Sequence, residues 1–520
     1  DEVAAPGYYS VLLKDYGVKA ELDSYNELLK KVIKLCENLQ NIKDVNLIVQ
    51  ILTTCQETVI AVGEGLEKIK LEKDKKVIEK LSVVSNLEQF CELAYEYTQS
   101  LDIHILGQMT DVISAVLKDI NSIPRTYRVA FLPYKASMWD SLESIWREFA
   151  ADKDCETSVV AIPYYEADRI TNKWEYCYDG ELFEADIPIV DFNAYDLKFK
   201  KPDLVFVHNP FDKFNTVTTV NPIYYSEELK KYCGKLVYVP YYVNPGFISA
   251  SYNKLPLLYR SDYIIVQSNM AKETCKEFPY YDNVLALGSP KFDKIIELNK
   301  QNVSAPEEWN VNLKGKKCLL LNTTIEDFLE SDNYIIDKLY SVFKVALSRN
   351  DIVIVWRPHP LLYATIKALR PEYADKYKAL VDYYINNNVG VYDKTADISR
   401  AVAVSDAYIG SYYSSVIALY EVINKPVFKI NNKLKYEDSM LKTRNKAKPE
   451  EVFMKLNNRD FYGCYETEKY ILEDFIDDLV LNRLDVIKKK QMEEEAGLAA
   501  NLDGSCGRKV YEYLTNVIRQ

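Results

Sequence analysis

Short apolar runs alternate with helical stretches between residues 128 and 430, and this alternation limits the fold more than any other feature of the chain. Six runs come first: Arg128–Leu132, Ser158–Ile162, Leu204–Val207, Leu236–Val239, Tyr263–Val266 and Val284–Leu287. Five more follow: Cys318–Leu321, Ile352–Trp356, Val389–Tyr392, Ala407–Ile409 and Val427–Ile430. Strands that alternate with helices form parallel sheets with helices on both faces. Eleven strands are too many for one sheet to hold comfortably, and 520 residues are too many for one ordinary core. The expected fold is α/β, with two Rossmann-like domains facing each other across a cleft and an all-helical region before them. The boundaries fall at 1–121 for a helical bundle or hairpin region, 122–290 for the first Rossmann-like domain and 291–465 for the second. Residues 466–520 are expected to be helices packing back on the α/β domains.

Before the alternation begins, the pattern is helical almost throughout. Leu22, Leu28, Leu29, Val32, Ile33, Leu35 and Leu39 make one apolar stripe, and residues 45–62 make a second. Gly63 and Gly65 interrupt the pattern, which resumes from Val77 to Tyr97 and from Ile105 to Ile120. These stripes read as the core of an antiparallel bundle, with a dimerising or partner-binding face as the alternative.

Composition narrows the function classes. A formal net charge of −12 argues against general nucleic-acid binding. Ten cysteines without CxxC pairs read as reduced thiols of a cytoplasmic protein, with neither a disulfide framework nor a zinc site. No apolar run is expected to span a membrane, and Asp1–Pro6 lacks the pattern of a signal peptide. Peripheral contact with a membrane stays open; the Lys/Arg bias between Lys425 and Lys448 would suit it, although a solvated loop is the plainer reading. The 42 tyrosines suit clefts and sugar-facing surfaces, but a compositional bias explains them as simply.

Two corners carry candidate chemistry. Arg357-Pro358-His359-Pro360 follows the apolar run Ile352–Trp356 where that strand should leave the sheet, the edge at which open α/β folds bind ligands. A guanidinium fork and an imidazole there suit a phosphate or diphosphate. Some fifty residues on, Ala407–Ile409 runs through Gly410 into Ser411-Tyr412-Tyr413-Ser414-Ser415 and then a helical pattern. Serines at such a turn cap the helix or bind an anion. The two corners are expected on successive strands of one sheet. In the first α/β domain, His208-Asn209-Pro210-Phe211-Asp212 follows the strand run Leu204–Val207. His208 there is a candidate base, with Asp212 orienting it or acting itself. Lys135, Ser137 and Asp140 follow the first strand and are candidates to hold an acceptor, or simply a helix cap. His104 lies in the helical region and reads as structural.

Gly288-Ser289-Pro290-Lys291-Phe292-Asp293, the Arg357–Pro360 corner and Ser411–Ser415, in this order and spacing, resemble the CDP-glycerol glycerophosphotransferases that build teichoic acids. Asn424-Lys425-Pro426-Val427-Phe428 matches the family's usual sequel. The resemblance covers roughly residues 200–430. It implies a GT-B-type fold, a CDP-linked donor held by the second α/β domain, and transfer of a polyol phosphate to an acceptor hydroxyl without a dedicated metal or other cofactor. Arg357 and His359 correspond to the family's Arg-x-His-Pro motif, and Ser414 and Ser415 to its Asp-Tyr-Ser-Ser motif. The resemblance implies donor binding by these four residues with Ser411, Gly288 and Ser289. The family's Asp is replaced by Tyr412, and its Trp-His-Gly-Thr segment is absent; Val239–Gly246 stands in its place. A GT-B glycosyltransferase with a nucleotide-sugar donor, or a non-catalytic nucleotide-binding scaffold, are the alternatives.

Overall fold

The computed structural model describes residues 18–72, 83–123, 126–168, 173–243, 252–309, 313–329, 334–395, 398–411, 414–430, 472–473, 475–481 and 499–519. Tyr412 and Tyr413, the stretch Asn244–Gly246 and most of the basic run after Ile430 lie outside them. The chain divides into two compact units. One gathers residues 1–129 with 152–156 and 196–203; the other gathers 130–151, 157–195 and 204–520.

Four helices form the first unit: α1 (Val18–Leu39), α2 (Val45–Glu72), α3 (Val83–Ser100) and α4 (Ile103–Ser122). Their buried residues recur at alternating three- and four-residue steps. In α1 these are Leu22, Tyr25, Leu29, Val32, Cys36 and Leu39; in α2 they are Ile48, Leu52, Cys55, Val59, Val62 and Leu66. That spacing keeps one seam facing inward along the whole helix, as in knobs-into-holes bundles. α1 packs on α2 and α4, and α3 on the same two helices. Asp102 caps α4 by accepting from the backbone N–H of His104, whose side chain is exposed. Against expectation, α2 is long and apolar enough over Val45–Glu67 to cross a membrane. Its inward seam is occupied by the bundle core.

Most residues of the sheets belong to the second unit. In chain order the first strands are β1 (Tyr127–Phe131), β2 (Cys155–Val160), β3 (Tyr164–Ala167), β4 (Trp174–Cys177) and β5 (Ile189–Val190). They are followed by β6 (Leu204–Val207), β7 (Thr218–Val220), β8 (Lys235–Tyr238), β9 (Tyr263–Val266) and β10 (Val284–Ala286). Seven of these form one sheet in the order β10-β9-β8-β6-β1-β2-β5, and β4-β3-β7 form a small antiparallel one. A second large sheet contains β11 (Lys317–Thr323), β12 (Ile352–Pro358), β13 (Gly390–Tyr392), β14 (Ala407–Ser411) and β15 (Val427–Ile430). Its order is β13-β12-β11-β14-β15, and every pair is parallel. This is the Rossmann arrangement, in which strand order reverses between the first and fourth strands. The reversal lies between β11 and β14. Leu319, Leu321, Ile354, Trp356 and Ile409 face one core cluster, while Leu320, Val355 and Tyr408 face another. Burial on both faces explains why these runs lack polar alternation. Two Rossmann-type sheets preceded by helices are therefore present, as expected.

The reversal point tolerates little bulk. Gly410 has φ +149°, and a Cβ there would sit 2.0 Å from the Asn322 carbonyl oxygen on β11. Gly410→Ala is expected to cost roughly 3 kcal/mol, because both the backbone and the strand contact must yield. A lowered urea midpoint for the second unit would record it, and an unchanged midpoint would contradict the packing described.

Candidate functional site

The carboxyl edge of the second sheet carries the candidate site. β12 ends in Arg357-Pro358, and His359 follows. Together with Pro360, Tyr363, Tyr377, Tyr392, Asp393, Lys394 and Thr395 they line a cavity of about 270 Å³. Tyr363 stacks on Tyr377 at 6.0 Å, and Lys394 lies 5.4 Å from the Tyr392 ring centre. Aromatic walls with a few polar groups suit a nucleotide-sized ligand.

Arg357 and His359 occupy this cavity together, but their electrostatics differ from the expectation. Arg357 Nη1 donates to Asp393 Oδ2 at 2.5 Å and to Thr395 Oγ1 at 3.1 Å. The Asp393 side chain is wholly buried, and it also accepts from Trp309 Nε1 and the Thr395 N–H. Much of the guanidinium charge is thus spent on a buried carboxylate, and Arg357 is first of all the partner that carboxylate requires. The His359 N–H donates to the Thr323 carbonyl at 2.8 Å. Its ring Nδ1 accepts from the Leu361 N–H at 3.2 Å, which leaves the proton on Nε2. Desolvation of the ring holds its pKa below the ordinary histidine value, with Glu326 opposing the shift. At neutral pH His359 therefore offers an N–H donor and no charge.

The serine corner sits two strands away. Because β11 separates β12 from β14, Arg357 and Ser411 are about 10 Å apart in the sheet direction. The expectation of successive strands is corrected here: the first strand of the series lies between the corners, as the Rossmann order requires. Ser411 is buried, and its hydroxyl lies 3.0 Å from Thr324 Oγ1. Ser414 Oγ accepts from the Val416 N–H, and Ser415 is exposed at the start of the helix Val416–Val422. Asn424 then closes that helix with φ +55°, and Lys425 Nζ donates to the carbonyls of Val402, Ala403 and Ser405 at 3.1, 2.6 and 2.7 Å. The Asn-Lys-Pro segment thus ends one helix and caps another.

Four other expectations are revised by the contacts. His208 is fully buried between β6 and β1: its Nε2 accepts from the Tyr134 N–H at 3.2 Å, and its Nδ1 lies 3.0 Å from Ser141 Oγ. Burial, reinforced by the charge of Lys291, pushes its pKa down to about 3. Both ring nitrogens are engaged and the residue has no exposed surface, so it fills the reversal point of the first sheet. Asp212 does not touch it. Its carboxylate accepts from the Ser226 N–H at 2.9 Å and hydroxyl at 2.6 Å, and so opens the helix Ser226–Tyr232.

Asp140 is held by Lys291 Nζ at 2.6 and 2.7 Å, and Lys135 pairs with Glu166 beside the rings of Tyr134 and Tyr164. Of the proposed acceptor trio, Ser137 is exposed while Lys135 and Asp140 are half-buried. Gly288 and Ser289 belong to the edge of the first sheet and line a cavity of about 20 Å³, room for a water and no more. Gly288 has φ +102°, and a Cβ there would meet the Ala500 carbonyl oxygen at 2.6 Å. Lys291 ties the loop after β1 to the helix Pro290–Gln301. Asp293 accepts from Ser144 Oγ and from the N–H groups of Cys506 and Gly507, which anchors the helix Cys506–Arg519. The Gly288–Asp293 motif is architectural in this chain.

Residues missed from the sequence are Asp393 and Thr395, which hold Arg357, and Thr323 and Thr324, which leave the central strand. A Rossmann strand order, once inferred, would have pointed to the exit of the first strand.

A family model described as CDP-Glycerol:Poly(glycerophosphate) glycerophosphotransferase matches residues 244–447, a stretch containing all three motifs of the resemblance. A search of curated proteins gives no match. Among solved structures the chain is similar to a UDP-N-acetylglucosamine 2-epimerase, at 14% identity over 76% of this chain and 98% of that one, with a TM-score of 0.48. It is also similar to the wall teichoic acid polymerase TagF, at 15% identity over 83% of this chain and 98% of that one, with a TM-score of 0.46. The S. aureus MnaA–UDP structure is similar at 12% identity over 76% and 97%, with a TM-score of 0.45.

Proposed function

We propose, for a chain that carries the domain of the CDP-glycerol:poly(glycerophosphate) glycerophosphotransferase family over residues 244–447, that it is a transferase of surface-polymer synthesis. It moves a polyol phosphate, glycerol phosphate first, from a CDP-linked donor to an acceptor hydroxyl. The observation that carries the reading is the tyrosine-lined cavity beside Arg357 and His359, at the ligand-binding edge of a Rossmann sheet and inside the matched stretch. In this reading residues 291–465 form the donor domain and 122–290 the acceptor domain. The acceptor oxygen bonds to the phosphorus of the transferred group and gives up its hydroxyl proton to solvent, the diphosphate P–O bond breaks, and CMP leaves. His359 donates its Nε2 proton in a hydrogen bond to the leaving phosphate. The absence of a dedicated metal and a peripheral site at the inner face of a membrane belong to the same proposal.

The test is release of CMP from CDP-glycerol, with a new phosphodiester on a glycerol-phosphate primer. Release of UDP or GDP from a nucleotide sugar would instead identify a glycosyltransferase, and silence with every donor would overturn both. His359→Ala is expected to lower kcat about 10²-fold while leaving the melting temperature nearly unchanged, since loss of one aligned donor has effects of that order. Unaltered turnover in that variant would remove His359 from the reaction.

A further inference from the structure

The central strand of the second sheet brings an unassigned hydroxyl between the two candidate corners. β11 pairs with β12 on one side and β14 on the other, with Asn322 opposite both Arg357 and Gly410. The chain leaving β11 through Thr323 and Thr324 therefore emerges where strand order reverses. In sheets of this order, ligands bind in the crevice at that point.

The neighbouring groups are already committed. The Thr323 hydroxyl accepts from Trp356 Nε1 at 3.1 Å, and its carbonyl accepts from the His359 N–H. Asn322 is buried, with Nδ2 donating to the Arg357 carbonyl. The Thr324 N–H is taken by Asp327 Oδ2 at 2.7 Å. Along this exit the Thr324 hydroxyl is what remains: the residue is half-buried, and Oγ1 lies 3.0 Å from Ser411 Oγ. Either hydroxyl can donate in that contact; where Ser411 donates, Thr324 keeps its own proton for a ligand.

We propose that Thr324 Oγ1 is a contact for the diphosphate of the nucleotide donor, bridging the His359 side of the crevice to the Ser411–Ser414 side. The inference rests on the donor reading above. A strand spacing of about 5 Å on either side puts each corner within reach of phosphate oxygens centred over Thr324, whereas the roughly 10 Å between Arg357 and Ser411 is too wide for one phosphate group. The tyrosine cavity beside β12 and β13 then takes the nucleoside end.

Calorimetric titration of the full chain with CDP and with cytidine tests this. Thr324→Val keeps the shape and removes the hydroxyl, and Thr324→Ser restores it. The valine variant is expected to bind CDP about 10- to 150-fold more weakly, the range for one hydrogen bond to a charged group, with cytidine affinity unchanged. The serine variant should return within about threefold of the parent. Equal CDP affinity in the parent and the valine variant would overturn the contact while leaving the donor reading intact. Equal weakening of CDP and cytidine would also overturn it, by showing a structural role. A parent chain that binds neither CDP, UDP nor GDP would overturn the donor reading and this inference together.

Discussion

Arg357→Ala is expected to lower the stability of the second unit by about 3–5 kcal/mol, whatever it does to turnover. The reason lies in its partner. Asp393 has no exposed side-chain surface, and Arg357 is the cation that meets it. Removing the guanidinium leaves a carboxylate in the interior with, among the described residues, the Trp309 and Thr395 donors, which cannot replace a charge. Thr395 would lose its anchor too, and with it one wall of the tyrosine-lined cavity. Arg357→Lys should fare better but not fully, because both contacts come from Nη1 and a lysine ammonium, on a stem of different length and shape, does not reproduce the position of that nitrogen. The double replacement Arg357→Met with Asp393→Asn should recover much of the loss, since the buried charge goes with its partner. Urea unfolding of the three variants measures this. If Arg357→Ala unfolds at the parent's midpoint, Arg357 is a ligand-facing group after all and the pairing with Asp393 is incidental. The distinction matters for turnover assays, because a dead Arg357 variant proves a catalytic role only if it is still folded.

The strands legible in the sequence were those covered on both faces. Ile352–Trp356 and Leu204–Val207 are unbroken apolar runs because nothing on either side of them meets water. The strands β3, β4 and β7 escaped for the opposite reason. They form a small antiparallel sheet in which Glu166, Glu175 and Trp174 are at least partly exposed, so their composition resembles that of a loop. The helical bundle was legible because Leu22, Leu29, Val32 and Leu39 repeat at the spacing of a single seam.

The site was legible only in outline. Arg357 and His359 could be placed at a sheet edge from the strand before them, but a sequence does not say what a side chain is already bonded to. Arg357 was assigned to phosphate when Asp393, thirty-six residues on, holds it. Asp140 was assigned to an acceptor when Lys291 holds it from 151 residues away. The order of strands in space was the other missing fact. It inserts β11 between the two corners and so brings Thr324, a residue without a motif, to the point where strand order reverses.

Stability between pH 6.5 and pH 3 should report His208 directly. In the unfolded chain His208 titrates near 6.5, whereas in the folded protein burial and the nearby Lys291 charge hold it neutral down to about 3. Within that window the unfolded state binds a proton that the folded state refuses. By linkage, stability then falls as pH falls, by about 1.4 kcal/mol per pH unit, for a total on the order of 4–5 kcal/mol. Above pH 6.5 the same group contributes no slope. Carboxylates add their own dependence in the lower half of the window, so the measurement is a difference between the parent and His208→Asn. The amide can still accept from the Tyr134 N–H but does not titrate. The asparagine variant should be less stable at pH 7.5 by about 1–3 kcal/mol, through imperfect hydrogen bonding in a buried site, yet lose less on acidification. The two curves should converge and meet between about pH 6 and pH 4. Parallel curves would mean that His208 is solvated and titrates normally in the folded protein, which would return it to candidacy as a proton acceptor. Convergence would fix it as the plug between β1 and β6, and any general base for an acceptor hydroxyl must then come from elsewhere in the chain.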